Sequence, residues 1–222
     1  MMDFSRATFR YEPYPIGLAR DIFLPERYET LVAEFPHEET FKRMTGSYNK
    51  FSLSERNNPD AYARLIKEHP VWGQVYLHVK SPMFLENVFQ CIAAAGLKPP
   101  TGKFTSRFEF SSLPPYGGGI DPHTDIPSKV VTLILPMVRA GEWPEEWGGG
   151  TDVLRPLDPH RLYQDYKEQR KDFEVVATYP YAPNQSVVFI KTFNSWHSVG
   201  PIGGAMGGPM RKSLTINIER TS

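Results

Sequence analysis

The chain has 222 residues, 40% hydrophobic and 23% charged, a balance that suits a globular protein with one substantial core. Lysine plus arginine equals aspartate plus glutamate at 25 each, so no global charge bias favours nucleic acid or an anionic membrane. A single cysteine excludes an internal disulfide, and no apolar run reaches the length of a signal peptide or membrane span, so a cytoplasmic location is expected.

Residues 1–101 read as a helix-rich support. From Pro25 to Phe35, apolar side chains at 28, 31, 32 and 35 have the spacing of one helix face. Asn58-Pro59-Asp60 signals the start of a second helix, with Tyr62, Leu65 and Ile66 turned inward. A third covers Pro82 to Ala95 and stops at Gly96, with Cys91 inside it as a buried, inert thiol. The polar, aromatic-bearing loop around Thr45–Leu53 is a candidate pocket wall. From Gly102 the pattern changes to alternation. Strands are expected over 103–110, 129–135, 151–154, 173–178, 186–191, 195–199 and 212–219, with proline and glycine turns between them. Residues 157–173 break this pattern, because Pro159–Glu168 is polar and helix-capable. There is no internal repeat, and residues 1–222 are read as one domain.

The chemistry concentrates in five positions. His123 and Asp125 form an HxD pair, and on a strand residues i and i+2 share a face, so both can reach one metal. A third ligand must come from a distant strand. His197 is the candidate, following the apolar run Val187–Ile190. Two imidazoles and one carboxylate leave half an octahedron open on a ferrous ion. Arg211 and Ser213 open a further alternating strand and share a face, which lets a guanidinium and a hydroxyl grip one carboxylate.

The order HxD, Gly-Gly-Thr (149–151), Trp196-His197, then Arg211-x-Ser213 resembles the iron(II)- and 2-oxoglutarate-dependent oxygenases, in their prolyl-4-hydroxylase-like branch. The resemblance covers about residues 102–220. It implies a mainly β fold with flanking helices (α+β), a double-stranded β-helix or jelly-roll core carrying an N-terminal helical layer. It also implies His123, Asp125 and His197 as iron ligands, and Arg211 with Ser213 on the distal carboxylate of 2-oxoglutarate, with O2 as the oxidant. Many prolyl hydroxylases use lysine for that carboxylate, so Arg211 argues against that specific activity. Related halogenases carry a small residue in place of the aspartate. Asp125 therefore points to hydroxylation or another oxidation, with release of succinate and CO2.

Other positions carry weaker expectations. Arg107 and Glu109 share a strand face and point either into the barrel as substrate contacts or outward. Tyr116, in the turn with Gly117–Gly119, is a possible pocket residue, as is Thr151 after the glycines 148–150. Thr132 and Leu133 are candidates for the 2-oxoglutarate cavity, Lys129 faces substrate or solvent, with solvent the expected side, and Trp196 is expected to pack. His37, His69, His78 and His160 lack partners at metal spacing. The expected partner is a small-molecule substrate, with a peptide as the alternative. A jelly-roll protein that binds metal or ligand without turnover and a cupin-type metalloenzyme are further readings. Nothing indicates nucleic acid or membrane.

Overall fold

The computed structural model describes residues 2–44, 49–162 and 169–221. Its helices are α1 (Pro25–Ala33), α2 (Pro59–Glu68), α3 (Pro70–Val79) and α4 (Pro82–Ala94). Each has proline in its first turn, where the missing N–H costs no hydrogen bond. The strands are β1 (Thr8–Arg10), β2 (Ile16–Arg20), β3 (Lys42–Arg43), β4 (Phe51–Ser54), β5 (Phe104–Leu113) and β6 (Ile120–His123). They continue with β7 (Lys129–Pro136), β8 (Thr151–Pro156), β9 (Phe173–Tyr179), β10 (Gln185–Ile190), β11 (His197–Val199) and β12 (Arg211–Arg220).

Two antiparallel sheets result, in the orders β1-β2-β10-β7-β12-β5-β4-β3 and β6-β11-β8-β9. This is the jelly roll, with the four helices on the outer face of the larger sheet. Alternation along each strand divides its side chains between two environments. Leu214, Ile216 and Ile218 of β12 join Phe108, Phe110, Val131 and Leu133 in the core shared with the helices, where Trp72 is fully buried. The odd-numbered residues of β12, from Arg211 to Glu219, therefore face the space between the sheets. Tyr14, Ile16, Val187 and Phe189 of the larger side meet Val153 of the smaller and fill one end of that space. Polar residues line the rest.

Two sequence expectations need correction here. The segment before residue 102 is more than a helical support, because β2 pairs with β10 and β4 with β5 inside the larger sheet. These strands are short, and flanking turns hide their alternation. Helix α3 also went unread, since it begins only two residues after α2 ends. Of the expected 157–173 excursion, residues 163–168 lie outside the described residues. The remainder holds a turn near Asp158 and a short 3-10 segment, Arg170–Asp172. Of the Thr45–Leu53 loop, 45–48 lie outside the described residues and Phe51–Leu53 belongs to β4.

Candidate metal centre

His123 is the last residue of β6 and His197 the first of β11, and the two face each other across the ladder. Their ring centroids are 4.2 Å apart. His123 Nδ1 lies 2.9 Å from the carbonyl oxygen of Asp121, and His197 Nδ1 lies 3.0 Å from that of Ser195. A carbonyl can only accept, so each Nδ1 carries the proton and each Nε2 is the ring nitrogen that bears the lone pair. That is the tautomer a metal needs.

Asp125 reaches the same point by another route. The strand ends at His123, so the i, i+2 argument does not place the carboxylate. Instead Lys129 Nζ donates to Asp125 Oδ1 at 2.6 Å, and Thr132 Oγ1 donates to Oδ2 at 2.7 Å. One donor atom from each of His123, Asp125 and His197 lies within 4.8 Å of the others. Lys129, expected in solvent, is thus committed to the site, and Thr132 holds Asp125 while Leu133 faces the helices.

Electrostatics keeps all three donors deprotonated. Burial, reinforced by the neighbouring His197, pulls His123 down from 6.5 to about 3, and burial also lowers His197. Burial by itself would raise the Asp125 carboxyl, but Lys129, His197 and His123 outweigh it and hold it low. The sign for stability follows. Between about 3 and 6.5 the unfolded chain takes up a proton on His123 that the fold excludes, so stability rises with pH there. The melting temperature of the metal-free protein is expected to fall as pH drops from 7 to 5. A His123→Gln variant should flatten that slope, which a thermal melt series measures directly.

At the other end of the interior lies Arg211, only 3% exposed. Its Nε donates to the Gly149 carbonyl at 2.5 Å, and its guanidinium sits 4.7 Å from the centre of the Tyr181 ring. Gly149 has φ +81°, a conformation that favours glycine, and a Cβ there would stand 3.2 Å from Arg211 Cδ and press on that side chain. Among the described residues no carboxylate pairs with Arg211. A buried cation without a counter-ion is costly, and it fits an anion brought in by a ligand. Ser213 is on the same face. Register places Ser213 beside Pro136 and Ser111, and Asn217, four residues on, beside Thr132 and Arg107. That is a run of about 13 Å from the Asp125 level to Ser213.

A cavity of about 330 Å³ opens beside the centre, lined by Arg56, Asn57, Arg107, Glu109, His123, Asp125 and Lys129 among others. Arg107 and Glu109 therefore face inward, because Phe108 and Phe110 occupy the helix side of β5. Thr151 is buried on β8, two residues from Val153, which pairs with His197. Tyr116 is a correction. It is 62% exposed on a turn bridged to Gly203, beyond the Leu113 end of β5 that pairs with Arg211, away from the cavity. Trp196 packs on Phe173, as expected. Sequence reasoning missed Asn217, Glu219, Arg56 and Tyr181. Extending the Arg211, Ser213 alternation along β12 reaches Asn217 and Glu219; nothing in the sequence marks Arg56 or Tyr181.

No protein-family model matches the chain, and no curated protein matches it by sequence. Solved structures share its fold. A prolyl-4-hydroxylase from Pseudomonas putida aligns over 93% of this chain and 92% of its own, with TM-score 0.53 and 15% identity. A prolyl 4-hydroxylase from Phytophthora capsici gives TM-score 0.58 at 16% identity, over 93% of this chain and 59% of that one. HygX from Streptomyces hygroscopicus, solved with nickel and 2-oxoglutarate bound, gives TM-score 0.55 at 8% identity, over 93% and 83%.

Proposed function

We propose that this protein is an iron(II)- and 2-oxoglutarate-dependent oxygenase that hydroxylates a small molecule. The observation that carries this reading is the pairing of a His123–Asp125–His197 donor cluster with a buried cation, Arg211, further along the same interior. The donor set suits ferrous iron: two neutral imidazoles and one carboxylate on one side, with the opposite side open. When bound, iron and 2-oxoglutarate supply the oxidation, in which O2 is divided between the substrate carbon and the co-substrate, which departs as succinate and CO2.

The protein's own residues do the rest. Carbonyls of Asp121 and Ser195 fix the imidazole tautomers, and Thr132 holds one oxygen of Asp125 in place. Arg211 and Ser213 orient the co-substrate by its far carboxylate. Asp125 fills the position that a halide would need, so hydroxylation is the expected outcome. The cavity walls argue for a small polar substrate over a prolyl peptide, since Arg56, Arg107, Glu109 and Lys129 are charged where a prolyl ring would need apolar contact. A purely binding role would leave the open-sided donor cluster without use.

The test is optical. Purified anaerobically and loaded with ferrous iron, the protein is expected to develop a visible charge-transfer absorbance on addition of 2-oxoglutarate. An iron-loaded sample that shows no such band overturns the assignment.

A further inference from the structure

The charged groups at the cavity mouth are not evenly matched. Glu219, 4% exposed, is shared by two guanidiniums: Arg107 donates to Oε1, and Arg56 donates to Oε2 at 3.2 Å. One carboxylate cannot neutralise both. Glu109 is already taken by Lys50 and by the Ser111 hydroxyl, which donates to it at 2.9 Å. Asp125 is the metal-site carboxylate and is held by Lys129. A divalent metal and a dianionic co-substrate cancel each other, so the local excess stays positive when both are bound. Among the described residues Arg107 Nε is buried with no hydrogen-bond partner, although the other end of its guanidinium is engaged. A buried donor left unmade is costly, so Glu219 does not fully satisfy the Arg107 guanidinium.

From this we infer that the cavity recognises a small organic oxyanion, a carboxylate or phosphate ester, held by Arg107 and Arg56. This names the substrate class of the site and rests on the oxygenase reading above. Arg107 and Thr132 stand on opposite sides of Asn217 in one row across β5, β12 and β7, and Thr132 holds Asp125. Two strand spacings are about 10 Å. Forked guanidiniums bind planar or tetrahedral oxyanions through paired N–H donors, and two of them side by side favour a doubly held anionic head.

Calorimetric titration of the metal-free protein decides the matter without turnover. The probes are short-chain carboxylates, phosphate monoesters, their neutral amides and alcohols, and an acidic hexapeptide. An Arg211→Ala background removes the other buried cation. The small anions are expected to bind at least tenfold more tightly than their neutral counterparts. Arg107→Gln should reduce that ratio at least tenfold. Arg56→Gln, at an exposed position that tolerates change, should reduce it in the same direction. The carboxylate and phosphate arms tell the two head groups apart. Neutral compounds binding as well as anions would overturn the proposal. So would a ratio that survives both substitutions, or binding confined to the peptide. Because no iron is present, failure here is separate from failure of the charge-transfer test.

Discussion

Replacing His197 with alanine is expected to abolish ferrous iron binding and succinate formation together. In the proposed reading the imidazole is one of three protein donors, and the Ser195 carbonyl, accepting from Nδ1, turns Nε2 toward the cluster. Loss of an outer partner alone typically costs about 10- to 100-fold in metal affinity, so losing the donor itself should exceed about 100-fold. The ring also packs against Phe189, at 4.5 Å between centroids, and truncation leaves a small void there. Equilibrium dialysis with ferrous iron, checked by circular dichroism, separates the two effects. A folded variant that keeps iron and turnover would show that His197 is not a ligand.

Arg211→Ala is expected to divide the functions of the site. Hydrogen bonds to charged groups are worth about 1.5–3 kcal/mol each, so 2-oxoglutarate affinity should fall roughly 10- to 150-fold. Iron affinity should stay close to wild type, because among the described residues Arg211 makes no hydrogen bond to the donor cluster and is held by the Gly149 carbonyl instead. Stability provides a second readout. Arg211 is a buried cation without a carboxylate partner among the described residues, so Arg211→Met should leave the ligand-free protein as stable or more so. Equal loss of iron and 2-oxoglutarate would make Arg211 a structural residue.

The fold was legible wherever alternation ran long enough to be read. Strands β5, β7, β10 and β12 were placed from their own residues because each carries several buried apolar side chains on one face. The helices α1, α2 and α4 were read from their proline starts and apolar spacing. Short strands such as β1 and β3 were not, because two or three residues carry no periodicity and pairing decides them. The donor residues were legible as chemistry, but the reason Asp125 faces the histidines was not. It depends on Lys129 and Thr132, residues four and seven positions away whose roles appear only when β7 takes its place between β10 and β12. Tyr116 failed for a related reason. A turn's direction is set by what it bridges to, here Gly203, and not by its neighbours in sequence.

The position of β12 bears on how the chain folds. It lies between β5 and β7, yet roughly a hundred residues separate its register partners Asn217 and Arg107. Until it arrives, both neighbours present open edges, which are templates for wrong pairing. Pairings this distant in sequence place the protein among slow folders, on the millisecond-to-second scale of all-β domains. Strand β12 also brings Arg211, Ser213, Asn217 and Glu219 into the interior in one event. The step that seals the sheet is therefore the step that confers competence, and a chain halted short of it remains both aggregation-prone and inert.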